Sequence, residues 1–551
     1  MRFRALFSVF LLFPAVFALS SWSQDATFGD EGTVVPPDFD YAPQMELALL
    51  EYADTMERSL ALSEGTLTAI YNANNYQPLW YTPDGWRDDA RGVLNIIADA
   101  DAHGLDPQDY NILNGKIVGD NNYPIDEPMV YDLALTTMLS KYAHVMDQGL
   151  YPQKASVTAS EVIIDQGALQ AENRALWLES MMPRSLAYQR LQTVLAQVRS
   201  DTENTARLHM PEGPLLRPGD QHPDVEILRG IMMQTGNLLR ENDHNHQVVD
   251  IADGDILVAA GAFDVYDDTL VNAVRQFQTD NGLTPDGVIG RQTRSVINEG
   301  PNRLLSLIKV NLERLRWEEN IDSEKWIRVN IPAYQLTGYD QGHSAINMPV
   351  IVGRSSRPTP VMSDQVTNLK FAPDWTIPNR IAREDYAPLL HKDPGYATRS
   401  GLQIYYNGRV IAPDIVNWRN MAMVSAMTLR KPPGGGGPLG GVRFSLTNDK
   451  AIFLHDTNLP HLFSRSQRDL SSGCVRVSDA EGLAAFILDN DVSDDEIKQR
   501  MNASDTSWEK LGEPVRVYLS YMTVWVDESG NIRQAKDIYG LDDNMLSRFQ
   551  G

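Results

Sequence analysis

Apolar positions change their period near residue 321, and the change divides the chain. From Met45 to about Arg207 they recur at three and four residues, as in Leu47, Leu50 and Met56, or Leu133, Leu135, Met138 and Tyr142. That spacing lines one face of an α-helix, and breaks such as "YTPDGW" read as loops between helices. Val225, Leu228 and Met232 then fall at i, i+3 and i+7 after Pro223, and Leu270, Ala273, Val274 and Phe277 form a second stripe. Asp268 or Thr269 is placed to cap that second helix and Asn281-Gly282 to end it. "PDGVIG" reads as a turn before a third short helix bearing Val296 and Ile297. "NRLLSLIKVNLERLRW" (302–317) carries Leu305, Ile308, Leu312 and Leu315 on one face. This helix is expected to pack back on the first helical region, making the segment between them an insertion. Beyond Ile321 the period becomes two: Ile327, Val329 and Ile331 alternate with Arg328, Asn330 and Pro332, and "VRFSLT" and "AIFLHDT" alternate likewise, as half-buried strands do. The pattern predicts a multidomain α+β chain. Its parts are a helical region over 45–210, a three-helix module over 211–300, a returning helix over 301–320, a β-rich domain over 321–521 and a C-terminal segment over 522–551.

The first residues follow neither period. Arg2 and Arg4 precede an apolar run from Ala5 to Leu19 that Pro14 interrupts, followed by small polar residues. This is the layout of a secretory signal peptide, expected over 1–23 and cleaved, since the run falls short of a spanning helix; retention as an N-terminal membrane anchor is the alternative. Residues 24–44 are acidic and rich in Pro and Gly and read as a disordered leader. A chain of 551 residues can bury several cores without disulfide support, and it holds a single cysteine, Cys474. In an exported protein that leaves an inert buried thiol, an intermolecular bridge or a nucleophile. The net charge of −25 argues against nucleic acid as a partner, since phosphate binding needs concentrated positive charge.

Candidate chemistry gathers around the cysteine. "AIFLHDTN" puts Ala451, Phe453 and His455 on one strand face, with His455 near the strand end. Cys474 lies nineteen residues on, in the turn "SSGC", and Ser478-Asp479-Ala480-Glu481 reads as a capping box opening a helix just beyond. Gly473 permits a tight turn, and the amides from Ser472 to Cys474 are placed to face a developing oxyanion. A thiol beside an imidazole can either give up its proton to it or persist as a thiolate–imidazolium ion pair, and so attack an acyl carbon; the alternative is a small buried apolar residue and a satisfied histidine. Arg476 reads either as a partner for a substrate carboxylate or as half of a structural ion pair. His244 and His246 lack a third ligand at defined spacing and read as loop histidines, so no metal is expected. "KPPGGGGPLGGVRF" lacks the Lys-Ser/Thr of a phosphate loop and reads as a flexible connection.

Two resemblances sharpen these readings. "RPGD", "PDV..LR", "AVRQFQ" and "GLTPDGVIG..T", in order from Pro214 to Asn298, resemble a three-helix peptidoglycan-binding module, here with an insert between its first two helices. His455 followed by "SSGCVRVSD" resembles the signature of the L,D-transpeptidase catalytic domain. "VNIPAYQL", "VIVGRSSRPTPVMSDQV" and "FAPDWTIPNRIARED" resemble segments of its larger Gram-negative members, so that the match runs from about Asp322 to Leu519. Ser472 stands where many members have histidine. The resemblance implies a helical scaffold domain and a β-rich catalytic domain with a capping insert holding Trp375, Tyr396 and Trp418, whose aromatics serve as a lid or as core. It further implies Cys474 as nucleophile, His455 as base and then acid, Ser472 and Gly473 at the oxyanion turn, Arg476 toward substrate, and no cofactor. The expected partners are donor and acceptor peptidoglycan stem peptides, with other wall-synthesis enzymes, in a periplasmic location. A cysteine peptidase or carboxypeptidase acting on the same polymer, and a non-catalytic wall-binding scaffold, are the rival functions.

Overall fold

The computed structural model describes residues 40–110, 128–151, 167–204, 208–235, 237–238, 264–281, 283–318, 325–433, 437–489 and 492–549. The signal-like run, most of the leader and the insert carrying His244 and His246 lie outside them. Among the described residues no helix is long and apolar enough to cross a membrane.

The helical region is built around α4 (Pro128–Gln148), buried along nearly its whole length. Against it and each other pack α1 (Ala42–Ser59), α2 (Thr66–Ala73), α3 (Asp88–Ala98) and α5 (Arg174–Ser180). The face that α1 buries differs from the expected one. Leu47 and Leu50 are 63% and 87% exposed, while Met45, Ala48, Leu49, Ala53 and Met56 face the core. Small and flexible side chains complete the stripe that lies nearest α4, and the two leucines fall outside it. "YTPDGW" is a hairpin, β1 (Tyr81–Thr82) with β2 (Gly85–Trp86), preceded by the buried Trp80. Its approach is held by the Asp132 carboxylate, which accepts from the amides of Leu79, Trp80 and Tyr81 and from the Tyr71 hydroxyl.

The next unit packs α7 (Pro223–Gln234) on α8 (Asp268–Asp280), with Val225, Leu228, Met232, Leu270, Val274 and Phe277 buried as their spacing predicts. The cap of α8 is Asp267, one residue before the expected pair; its Oδ1 accepts from the Leu270 amide at 2.9 Å. The third helix and the returning helix are distinct, as expected, but follow each other without a loop as α9 (Arg291–Arg316), meeting at Gly300, whose φ 45, ψ −142 is not helical. Pro301 lacks an amide hydrogen and begins the second half without losing an internal bond. The first half buries Ile297 in the three-helix unit. The second lays Ile308, Leu312 and Leu315 on Tyr188, Leu191 and Leu195 of α6 (Leu186–Asn204), so the chain does return to the helical region.

In the β-rich domain nine strands run in the order β13-β5-β14-β12-β11-β6-β15-β3-β4. They are β3 (Trp326–Asn330), β4 (Gln335–Asp340), β5 (His343–Gly353), β6 (Met362–Phe371), β11 (Val442–Leu446), β12 (Leu454–His455), β13 (Asp469–Ser471), β14 (Val475–Val477) and β15 (Ser507–Ser520). Because β4 also pairs with β5, the sheet closes on itself. Alternation then sorts the side chains: Ile327, Val329, Leu369, Val442, Phe444, Leu454, Val475 and Val477 fill the interior, joined by Leu483 and Ile487 of α10 (Ala480–Leu488). Their sequence neighbours point outward. Between β6 and β11 a separate small unit carries its own sheet, β7 (Trp375–Thr376), β10 (Met427–Lys431), β8 (Gln403–Tyr406) and β9 (Arg409–Val410), and its own core of Ile377, Leu390, Ile404, Trp418, Val424 and Leu429.

The C-terminal segment forms the hairpin β16 (Val524–Val526) with β17 (Ile532–Gln534) and then α11 (Leu541–Phe549), and fastens the β-rich domain to α9. Arg314 of α9 meets Asp542 at 2.6 Å, with the two side chains 3% and 5% exposed. Removing one partner of a buried pair leaves a charge without compensation and costs about 3–5 kcal/mol. Arg314→Met should therefore destabilise the fold by an amount of that order, read as a lower urea-unfolding midpoint. An unchanged midpoint would show that this junction contributes nothing to stability.

Candidate functional site

Register assembles the site. Arg443 of β11 pairs with His455 of β12, and His455 pairs with Arg476 of β14. Leu454 and Val475 point into the core, so these three polar residues form a row on the outer face of the sheet, which Lys370 of β6 extends. Cys474, two residues before Arg476, shares that face. The strand carrying His455 is shorter than expected, only Leu454–His455, yet Phe453 and the imidazole remain neighbours, with ring centroids 5.6 Å apart.

The turn before β14 is tightly tied. Gly473 has φ +118, and a Cβ there would stand 3.0 Å from Ile452. The Ser471 hydroxyl donates to the Cys474 carbonyl at 2.6 Å and accepts from the Gly473 amide at 3.1 Å. Gly473 therefore cannot offer its amide to an oxyanion, a correction to the run of amides expected from sequence. The amides of Ser472 and Cys474, which meet no acceptor among the described residues, are the ones left. The Gly473 carbonyl accepts from the Thr359 hydroxyl at 2.7 Å.

Cys474 Sγ lies 3.6 Å from the Ala451 carbonyl, and no hydrogen bond joins it to the imidazole. Burial pushes the thiol up to about 11, against the pull of the Phe453 amide, Arg476 and Arg443. Burial also pulls His455 down to about 3, with Arg476 and Arg443 adding to the effect. At rest both groups are thus uncharged, where the sequence left a preformed thiolate–imidazolium pair open. His455 Nδ1 stands 2.5 Å from the Asp456 carbonyl. A carbonyl can only accept, so Nδ1 carries the proton and Nε2 keeps a lone pair.

Neither arginine of the row makes an ion pair among the described residues, although Asp374 lies near enough to act on Arg443. Arg476 makes no ion pair among the described residues, which removes the structural-pair reading, and its Nε is buried without a hydrogen-bond partner. The Nε of Arg443 is likewise unpartnered; its guanidinium lies over Phe453 and Trp508 and donates to the Ser445 hydroxyl at 3.1 Å. A third arginine does the opposite. Arg357, 6% exposed, donates to Asp385 and Glu384 of the small unit and, at 3.0 Å, to the Ser472 hydroxyl, joining that unit to the turn before β14.

The small unit roofs a cavity of about 520 Å³ that contains Cys474, His455, Arg476 and Ser472 on its floor and Trp375, Ile381 and Tyr386 on its roof. Of the three aromatics picked out in sequence, only Trp375 lines the cavity; Trp418 is core and Tyr396 packs against that core. The end of the glycine-rich run is a docked turn rather than a free connection. Gly441 donates its amide to Asp456 Oδ2 at 2.7 Å, and a Cβ on Gly440 would fall 2.2 Å from that oxygen. This places Pro438 and Leu439 on the cavity wall. The cap of α10 is Asp479, which accepts from the Gly482 amide, one residue later than the expected Ser478. Sequence reasoning missed Arg443, Arg357 and Thr359. Arg443 carried a signal in its alternation with Val442 and Phe444, which sets it on the face of His455. Among the described residues no group of three or more His, Cys, Asp or Glu is disposed to hold a metal.

Residues 324–517 match the family model of the L,D-transpeptidase catalytic domain, 65–195 that of a scaffold domain, and 255–297 that of a "Putative peptidoglycan binding domain". A Haemophilus influenzae protein named "Putative L,D-transpeptidase" is 36% identical over 240 residues, which cover 43% of this chain and 48% of that protein. This chain therefore spans less than half of the relative's length in the match. Among solved structures, an L,D-transpeptidase from Mycobacterium smegmatis is 14% identical, covering 35% of this chain and 58% of that one, with a TM-score of 0.18. One from Xylanimonas cellulosilytica is 14% identical, covering 56% and 98%, with a TM-score of 0.17. A scaffold domain, a peptidoglycan-binding domain and an L,D-transpeptidase catalytic domain of the YkuD type thus follow one another along the chain.

Proposed function

We propose that this protein is an exported, periplasmic enzyme that forms 3→3 cross-links between peptidoglycan stems. Cys474 attacks the carbonyl joining the third residue, usually meso-diaminopimelate, to D-alanine four. Its proton passes to His455 Nε2 and on to the departing D-alanine amine, leaving a thioester. The side-chain amine of a second stem then attacks the thioester, giving its proton to His455, which returns it to the sulfur. The observation that carries this reading is the shared outer face of β12 and β14. It sets a thiol and an imidazole with an open Nε2 in one cavity, beside two arginines that make no ion pair among the described residues.

The charges suit that sequence of steps. Arg476 and Arg443 stabilise sulfur as it becomes negative and destabilise the imidazolium, which drives the proton onward to the leaving amine. The unpaired guanidinium of Arg476 suits a stem carboxylate, which it can meet through two parallel hydrogen bonds. The Ser472 and Cys474 amides serve the oxyanion. The peptidoglycan-binding module holds the enzyme on the polymer it joins, and no metal or organic cofactor enters the scheme.

Two measurements test the proposal. With tetrapeptide-bearing glycopeptides, Cys474→Ala should abolish both D-alanine release and dimer formation, and His455→Ala should lower them by about 10²–10⁴-fold, the range of general acid–base catalysis. Full activity in either variant would contradict the assignment. The pH dependence of the free thiol is the second. With the thiol up at about 11 and the imidazole down at about 3, the thiolate fraction grows about tenfold per pH unit until pH nears the upper value. Alkylation of this single cysteine by iodoacetamide, followed by intact mass, should rise by that factor per unit from pH 7 to 9. A rate already level at pH 7 would mean a preformed ion pair.

A further inference from the structure

The direction of the Cys474 amide is set from outside the turn. A trans peptide is planar, so the carbonyl of Gly473 and the N–H of Cys474 point in opposite directions. Whatever holds that carbonyl therefore aims that amide. The holder is Thr359, whose hydroxyl donates to the Gly473 carbonyl at 2.7 Å and accepts the Gly353 amide at 2.8 Å. Thr359 is 1% exposed. It is held in turn by Tyr539 of the C-terminal segment, whose hydroxyl accepts from the Thr359 amide at 3.2 Å and donates to the Gly353 carbonyl at 2.5 Å. Ser355 adds a bond from the same loop to the Ile538 carbonyl at 3.0 Å.

Tyr539 itself is anchored by Tyr521, at the end of β15, and by the C-terminal segment. Its amide donates to the Tyr521 hydroxyl at 2.7 Å, and the two rings stack with centroids 5.5 Å apart. Tyr521 donates to Asp537, which also accepts from the amides of Leu541 and Asp542, and Asp542 pairs with Arg314 of α9. An unbroken series of hydrogen bonds thus runs from the nucleophile turn through the C-terminal segment to the helix whose first half belongs to the peptidoglycan-binding unit.

We propose that Thr359 and Tyr539 are positioning residues that aim the Cys474 amide at the oxyanion formed during acylation, and that the C-terminal segment supplies the clamp. This rests on the acyl-transfer reading above. Neither side chain touches substrate; each acts through the Gly473–Cys474 peptide.

Two electrophiles separate this role from a general effect on the fold. Iodoacetamide alkylates the sulfur by displacing iodide and forms no oxyanion. A carbapenem is attacked at its β-lactam carbonyl, passes through an oxyanion, and opens its ring C–N bond as the nitrogen takes the proton. The full-length protein and its Thr359→Val, Thr359→Ser and Tyr539→Phe variants are compared with both reagents by intact mass, and in cross-linking of tetrapeptide-bearing glycopeptides. Outright loss of an oxyanion donor costs about 10²–10³-fold in kcat, so a misaimed one should cost at least about tenfold. Thr359→Val and Tyr539→Phe should show that loss in carbapenem acylation and in kcat, with KM and iodoacetamide alkylation held within about twofold. Thr359→Ser, which keeps the hydroxyl, should restore the rate. Acylation of the first two variants at the wild-type rate, a parallel fall with both reagents, or no rescue by serine would overturn the inference. A wild-type protein that neither takes up the carbapenem nor releases D-alanine would overturn the acyl-transfer reading, and this inference with it.

Discussion

The pairing of β11, β12 and β14 is the constraint on which the rest depends. Those strands bring Arg443, His455 and Arg476 into one row, and two residues before Arg476, where the turn enters β14, stands the cysteine. Each strand has apolar side chains on its other face, and these lock the register, since a slip of one residue would drive a guanidinium or an imidazole into the closed interior. The hydrophobic interior of the sheet and the chemistry on its outer face are therefore set by the same alternation. Val442, Phe444, Leu454, Val475 and Val477 hold the polar row in place by having nowhere else to go.

That row also sets the resting state of the reacting groups. Burial under the small unit penalises any charge on Cys474 or His455, and two nearby cations oppose a positive imidazole while favouring a negative sulfur. The outcome is a neutral pair with the proton still on sulfur. A thiol held protonated in this way is a weak nucleophile at rest. The Asp456 carbonyl fixes the tautomer that leaves Nε2 open, and the Asp456 side chain holds the Gly441 turn that walls the cavity, so one residue serves both functions.

Much of this was legible in the sequence, and the gaps have physical reasons. Where a stripe was supplied by large side chains with a single choice of face, as in Val225, Leu228 and Met232 or Ile327 and Val329, spacing identified the core. It failed for α1, because two stripes were available there and the choice depends on where α4 lies, which no local pattern records. Helix starts were displaced by one residue at Asp267 and Asp479, since neighbouring Asp, Thr and Ser can all cap and only backbone geometry selects among them. The Cys–His spacing located the site. It could not show that Gly473 spends its amide on Ser471, or that Arg357 and Thr359, more than a hundred residues upstream, close on the turn. Those contacts depend on β5 and β13 lying side by side. That Arg476 makes no ion pair among the described residues was equally hidden, because an ion pair is formed or withheld by the tertiary fold.

The central claim is that Cys474, served by the imidazole in its row, takes the acyl group of a donor stem. The most direct test is an intact mass spectrum of the protein after brief incubation with a purified tetrapeptide donor whose acceptor amine is blocked. The account predicts an adduct on Cys474 with the mass of the donor less D-alanine, removable by hydroxylamine and absent from a Cys474→Ser protein. Release of D-alanine with no such adduct, or an adduct on another residue, would contradict it.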